Sequence, residues 1–309
     1  MAKIRNLIHA TPLKQSSTIN RRAGYNVYLK LENLQRTGSF KVRGALNKVL
    51  SLSTKELERG VIAASAGNHA QGVALACKLR NAQAYIYMPV HTPETKIKAT
   101  RAYGASVILA GDTYDEAYAH ALQHCVLNNH TFVHAFDDED VIAGQGTLAL
   151  EMLKQNPNLD TLIVPVGGGG LIAGIAITAK RQNPYIKIVG VQAASVPGVH
   201  LKFNRLRDNT GLSWKTMAEG IQVRNPGSLT YPLIEEFVDE IVTVTEEEIA
   251  DTILFMLERE KLLVEGAGAV AVAAVLHGHL NHLPKEVGCI VSGGNLDYDK
   301  LQCLSSKEY

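Results

Sequence analysis

Apolar residues fall in two rhythms along the chain. Short apolar runs predict buried strands at 25–31, 61–64, 84–88, 105–109, 131–133, 161–166, 186–192 and 287–291. Between them, apolar residues recur at the spacing of one helical face. The first such stretch has them at 42, 45, 46, 49 and 50 and predicts a helix from Lys41 to about Leu52. Further helices are predicted over 72–79, 93–103, 113–128, 144–155, 171–180, 246–260 and 266–277. Thr245 and Glu248 give the helix over 246–260 a capping-box start. Strand–helix alternation predicts parallel βαβ units and an α/β fold. Residues 1–24 are mixed and polar, with a bend at Thr11-Pro12-Leu13. Residues 195–230 read as irregular, and such long segments are often functional or form a subunit contact.

Several strand ends pass through small residues into a helix, and ligands of open α/β sheets sit at such ends. Thr37-Gly38-Ser39-Phe40-Lys41 follows the first strand. Ser39 is the expected N-cap, and Lys41 falls in the first helical turn, where the dipole disfavours an ammonium. A lysine with a lowered pKa is a ready imine-forming nucleophile. Taken alone, these residues fit a solvated lysine better. Ser65-Ala66-Gly67-Asn68-His69 offers a hydroxyl, an amide and helix N-terminal N–H groups to a carboxylate, although an ordinary capped turn fits as well. Gly167, Gly168, Gly169 and Gly170 let several backbone N–H groups face one anion, and phosphate suits that cradle. Tight helix–sheet packing would need only one or two glycines. In Ser292-Gly293-Gly294-Asn295, the hydroxyl can hydrogen-bond a neutral heterocyclic nitrogen. A lysine nucleophile, a phosphate cradle and a hydroxyl at a third strand end point to pyridoxal phosphate, covalently joined to Lys41.

Composition narrows the remaining classes. With 309 residues and 46% hydrophobic content, the chain can bury a large core, and its length suits two domains. Lys and Arg number 31 against 30 Asp and Glu, which disfavours nucleic acid or a membrane surface as partner. Cys77, Cys125, Cys289 and Cys303 lie far apart, which fits a reduced cytoplasm and neither a disulfide framework nor a structural zinc site. No apolar stretch of signal length follows the N-terminus, and 266–276 is too short to span a bilayer. The expected location is cytoplasmic. His277, His279 and His282 do not share one helical face, so a polar helix end is expected there and not a metal cluster.

The stretch Leu29-Lys30-Leu31-Glu32-Asn33-Leu34-Gln35-Arg36-Thr37-Gly38-Ser39-Phe40-Lys41 resembles the lysine motif of the serine/threonine dehydratases. These are pyridoxal-phosphate enzymes of the tryptophan-synthase-β fold type, fold type II. Residues 65–71, Phe136-Asp137-Asp138, Gly144-Gln145-Gly146-Thr147, 165–174, Glu265-Gly266-Ala267-Gly268-Ala269 and 292–295 match further motifs in the same order, so the likeness covers nearly the whole chain. It is nearest to the short, catabolic-type threonine dehydratases. The sequence ends just after the last motif, so the regulatory domain of the biosynthetic enzymes of isoleucine formation is not expected.

The resemblance implies two domains, each an open, mostly parallel twisted sheet flanked by helices. Residues 1–45 and 143–309 would form a large cofactor-binding domain, and 46–142 a small substrate-clamping one. By the same resemblance Lys41 carries pyridoxal 5'-phosphate, Phe40 packs beside its ring and Asn68 bonds its 3-hydroxyl. Gly167 to Gly170 hold the phosphate, and Ser292 faces the ring nitrogen. Ser65, Ala66, Gly67, Asn68 and His69 take the substrate carboxylate, with Ala135 on the pocket wall where the family often has Pro. Glu219 stands where the family usually carries Asp.

The implied reaction is β-elimination, in which the Lys41 amine removes the Cα proton. L-Threonine would give 2-oxobutanoate and ammonia, and L-serine pyruvate and ammonia. A serine facing the ring nitrogen leaves it unprotonated, which suits prompt elimination better than transamination. Two related activities are disfavoured. Serine racemases have a serine acid/base where this chain has Ala66. They and the hydroxyaspartate dehydratases hold a divalent metal with carboxylates where this chain has Gln192 and Gly198, so no such divalent site is expected, while a monovalent ion held by carbonyls stays open. A non-catalytic binding protein is disfavoured by the intact Lys41, Asn68, glycines and Ser292. The resemblance also implies a homodimer or homotetramer, and some similar catabolic enzymes respond to AMP.

Overall fold

The structure, a computed structural model, describes residues 3–207 and 214–306. Among them ten strands form two sheets. In chain order they are β1 (Leu13–Gln15), β2 (Asn26–Leu31), β3 (Val61–Ala64), β4 (Ala84–Met88), β5 (Ser106–Leu109), β6 (Thr131–Phe132), β7 (Thr161–Pro165), β8 (Lys187–Ala193), β9 (Glu240–Val244) and β10 (Glu286–Val291). The larger sheet has the order β1-β2-β10-β7-β8-β9 and the smaller β5-β4-β3-β6. Only the β1–β2 pair is antiparallel among the described residues. Every residue of β3 and β7 is buried, as helices on both faces of a parallel sheet require. The expected α/β class with two mostly parallel sheets therefore holds.

All eight strands predicted from the sequence are present, displaced by at most one residue at either end. The helices Lys41–Ser51, Asn68–Leu79, Glu94–Arg101, Tyr114–Asn128, Gly170–Gln182 and Gly266–Leu276 match predicted ones. The helix predicted from 144 starts earlier, as Glu139–Gln155, because the Asp138 side chain accepts from the Val141 N–H at 3.1 Å and caps it. The Thr245–Glu248 capping box is formed, but the α-helix it opens ends at Phe255 and continues as a π-helical turn, Met256–Glu260. The irregular stretch 195–230 contains the helix Gly198–Phe203 and a 3-10 turn, Glu219–Ile221; its residues 208–213 lie outside the described ones.

Ser39 is not the cap that its residue type predicts. The first helical turn follows Phe40, and the Ser39 hydroxyl is buried without a partner. Its backbone instead bridges to Gly293, and the Phe40 N–H donates to Ser292 O at 3.1 Å. Tertiary pairing to the 292–295 turn has overridden local capping. The helix Lys41–Ser51 then buries Val42, Ala45, Leu46 and Val49 in the core beneath the small sheet, with Ala63, Val73 and Ile86.

A buried ionic network anchors that helix to the large sheet. The Arg43 guanidinium donates to Glu32 at 2.7 and 2.8 Å and to Glu151 at 2.8 and 2.9 Å. Lys30 adds a bond to Glu151 at 2.8 Å and one to Thr11 O at 2.8 Å. Arg43, Lys30 and Glu32 have no solvent exposure at all. Such charges survive burial only when paired and hydrogen-bonded, as here.

Candidate active site

The carboxyl ends of β2, β3, β7 and β10 open into one cleft of about 1280 Å³. The turns after them, with the segment after β6, bring together the residues expected to hold cofactor and substrate. Phe40, Lys41, Ser65, Ala66, Gly67, Asn68, His69, Ala135, Gly167, Gly168, Gly169, Gly170 and Ser292 all line it.

Lys41 is the first residue of its helix, and its ammonium donates to Ala135 O at 3.0 Å, 5.3 Å from the centroid of the Phe40 ring. Burial pushes its pKa down to about 8, against the opposing pull of the Glu265 carboxylate. Lys96, the other lysine that lines the cleft among the described residues, behaves oppositely. Burial lowers its pKa, but Glu219 at 3.0 Å and Asp297 at 3.7 Å outweigh that and raise it. The amine fit for nucleophilic attack is thus Lys41. A consequence concerns the rate at which pyridoxal phosphate refills the cofactor-free chain. Only the neutral amine attacks, so that rate should rise with pH through about 8 and then level off. Stopped-flow growth of the ~410 nm band measures it; a rate still climbing at pH 10.5, the ordinary lysine value, would contradict it.

The glycine turn is built for an anion. Gly169 has φ +98°, a left-handed conformation that glycine adopts without strain. A Cβ on Gly168 would come within 2.4 Å of the Phe136 ring, and one on Gly170 within 2.7 Å of Phe136 O. Gly168 O accepts from the Gly227 N–H and the Thr230 hydroxyl. Among the described residues no carbonyl or side chain accepts from the N–H groups of Gly167, Gly168 or Gly169. Three free donors at the positive end of the helix Gly170–Gln182 fit a phosphate. The Ser292 hydroxyl, buried, donates to Ala267 O at 3.0 Å at the far side of the cleft.

In the 65–69 turn, Ser65 Oγ accepts from the Gly67 N–H at 3.2 Å. His69 does not turn its ring to a ligand. Its Nε2 pairs with Val133 O at 2.9 Å, its Nδ1 is buried without a partner, and burial pushes its pKa down to about 3. A neutral His69 leaves its backbone and not its ring to serve the cleft.

Sequence reasoning did not single out four further residues. Phe136 roofs the glycine turn. Asp137 accepts from the N–H groups of Ser228, Leu229 and Thr230 and from the Ser228 hydroxyl, at 2.9 to 3.1 Å, tying the two sides of the cleft together. These bonds hold its carboxyl below the usual range against the effect of burial. His134 Nδ1 accepts from the Phe136 and Asp137 N–H groups at 3.2 and 2.8 Å, which puts the proton of the neutral ring on Nε2. Burial lowers the pKa of this histidine. The fourth is Glu265, whose carboxylate accepts from Asn68 Nδ2 at 2.7 Å. Phe136, Asp137 and Glu265 sit inside quoted sequence motifs, which was the available signal.

Glu219 lies at the mouth of the cleft, paired with Lys96 and with Lys300. Gln192 is committed elsewhere. Its amide donates to Val166 O at 3.2 Å and accepts from the His200 N–H at 2.8 Å. A Cβ on Gly198 would meet Arg224 O at 1.9 Å. His279 bonds Glu248 at 2.8 Å, while His282 faces Glu240 at 3.7 Å, so these rings go to different partners. No helix among the described residues is long and apolar enough to cross a membrane.

Four adjacent glycines, three of them with N–H groups unpaired among the described residues, and a lysine of lowered pKa face one cleft at the carboxyl ends of two parallel sheets, an arrangement that suits a fold type II pyridoxal-phosphate enzyme. Residues 4–293 match the pyridoxal-phosphate dependent enzymes, and the chain belongs to that family. More particularly, it is 48% identical to an L-threonine ammonia-lyase of Thermotoga maritima over 304 residues, 98% of this chain and 76% of that protein. It is 41% identical to the catabolic L-threonine dehydratase of Escherichia coli, over 96% of this chain and 91% of that one. Among solved structures, maize serine racemase superposes with a TM-score of 0.92 at 32% identity, covering 99% of this chain and 94% of the other. The cofactor of the chain is pyridoxal phosphate.

Proposed function

We propose that the protein is a threonine/serine ammonia-lyase, converting L-threonine to 2-oxobutanoate and ammonia and L-serine to pyruvate and ammonia. The observation that carries this is Lys41, with its pKa lowered to about 8, facing the same cleft as the glycine cradle. The identity to threonine ammonia-lyases supports the substrate. Lys41 holds the cofactor and then serves as the base at Cα. Gly167 to Gly170 hold the phosphate, Ser292 the ring nitrogen, Asn68 the ring hydroxyl, and Phe40 packs beside the ring. The N–H groups of the 65–69 turn take the substrate carboxylate, and Ala135 walls the side chain. When bound, the cofactor supplies the sink for the electron pair left at Cα. The amine of Lys41 takes the Cα proton, the β-hydroxyl leaves as water with the uptake of one proton, which balances the one removed at Cα, and the enamine so released adds water to give the 2-oxo acid and ammonia.

The likeness to a serine racemase raises a second reading, and Ala66 weighs against it. Racemisation needs an acid/base on the face opposite Lys41, and a methyl group is neither. Incubation with L-serine is expected to yield pyruvate while the remaining serine stays L, as read by chiral chromatography. Steady accumulation of D-serine would overturn the exclusion. Initial rates with L-threonine, L-serine and 3-hydroxyaspartate test the substrate itself.

The proposal extends to a division into 1–45 with 143–309 and 46–142, with the second part clamping the substrate. The strands β3 to β6 all fall in that part. It extends also to a cytoplasmic homodimer or homotetramer and to AMP as an allosteric ligand, both by family resemblance.

A further inference from the structure

The carboxylate of Glu265 has no place in the chemistry above, yet it lines the same cleft. It immediately precedes the helix Gly266–Leu276, whose positive end favours an anion there. Its backbone is held by a bond from its N–H to Gly293 O at 3.2 Å. Its Oε1 is packed so closely on Gly293 that a Cβ there would come within 2.4 Å. The carboxylate is thus fixed in place, and it accepts from Asn68 Nδ2 at 2.7 Å.

The other end of the same amide is fixed as well. Asn68 Oδ1 accepts from Asn295 Nδ2 at 2.7 Å, and Asn295 Nδ2 also donates to Thr37 O at 2.8 Å. An amide has two donors and one acceptor oxygen, and the two ends are sterically alike. Here the oxygen is turned to Asn295 and one N–H to Glu265. A flipped amide would set its oxygen against the Glu265 oxygen and its NH2 against the Asn295 NH2, losing both bonds. The second N–H of Asn68 is the group left over.

We propose that Glu265, with Asn295, is a positioning residue that fixes the Asn68 amide with its donor end toward the ring oxygen of bound pyridoxal phosphate. The proposal rests on the assignment of Asn68 to that oxygen. A fixed donor favours the anionic form of the ring oxygen, and a freely flipping amide would present an acceptor about as often. Burial pushes the Glu265 pKa up to about 7, against the opposing bond from Asn68. Either protonation state keeps an oxygen able to accept, so the orientation is held across neutral pH.

The test uses the whole chain, stripped of cofactor and refilled with either pyridoxal phosphate or 3-deoxypyridoxal phosphate, which lacks the ring oxygen. The ratio of the two dissociation constants isolates the Asn68 contact, because a purely structural defect weakens both ligands alike. The parent chain is expected to favour pyridoxal phosphate by about tenfold or more. Glu265→Leu and Asn295→Ala are each expected to cut that ratio several-fold. Glu265→Gln keeps an acceptor oxygen and is expected to stay within about twofold of the parent. Circular dichroism checks that each variant is folded. A parent ratio near one would overturn the Asn68 assignment and the proposal with it. A normal parent ratio that neither Glu265→Leu nor Asn295→Ala lowers would overturn the proposal alone.

Discussion

Replacing Lys41 with alanine is expected to remove the cofactor's ~410 nm band and to lower turnover by at least ~10³-fold, because one amine both holds the cofactor and takes the Cα proton. The size of the effect follows from the surroundings. Among the described residues the only other lysine lining the cleft is Lys96, and it is held protonated by Glu219 and Asp297. His134 and His69 are neutral, and each has a ring nitrogen already committed to backbone. Among the described residues, no other lysine or histidine of the cleft is poised to take over. The variant should keep its fold, since the Lys41 side chain makes a single bond, to Ala135 O at 3.0 Å, and the helix is held by Val42, Ala45, Leu46 and Val49. Absorption and 2-oxobutanoate formation from L-threonine measure the two losses. Turnover retained without an added amine would contradict the assignment.

The second large effect is on stability. Arg43→Met is expected to lower the unfolding free energy by about 3–5 kcal/mol, the usual cost of breaking a buried ion pair by removing one partner. Arg43 makes five hydrogen bonds in the protein interior, four of them to the carboxylates of Glu32 and Glu151. After the change Glu151 keeps Lys30, but Glu32 keeps only the Thr11 hydroxyl. A buried carboxylate would then lack a cation. Lys98→Met provides the contrast. Its ion pair with Glu94 has side chains 74% and 61% exposed, and its loss should cost under ~1 kcal/mol. Chemical denaturation of both variants measures the difference. Equal losses would show that the Arg43 network does not anchor the helix that carries Lys41.

The sequence revealed the parts of the fold that are buried on both faces. β3, β7 and the middle of β8 are continuous apolar runs, and such runs have one stable use in an α/β chain. The edges were harder. β1 is three residues long, and β9 mixes Glu240 and Thr243 with its apolar positions because it pairs on one side only. The helix Thr230–Phe237 carries Pro232 in its first turn, where proline is tolerated although it reads as a breaker.

The same division holds within the site. Lys41, the 65–69 turn, the four glycines and Ser292 were legible because each lies just beyond a strand end. Glu265 was not, because its contact with Asn68 spans 197 positions. Asp137 reaches loop 228–230 across more than 90. Ser39 was misread for a related reason. A local rule favours a serine cap, and a bridge to Gly293 from the far end of the chain displaced it.

The most direct measurement of where the cofactor is joined is borohydride reduction of the purified protein, followed by digestion and mass spectrometry. Reduction makes the carbon–nitrogen link permanent. The expected result is one phosphopyridoxyl adduct, on the peptide that contains Lys41. An adduct on Lys96 or any other lysine, with Lys41 unmodified, would contradict the account.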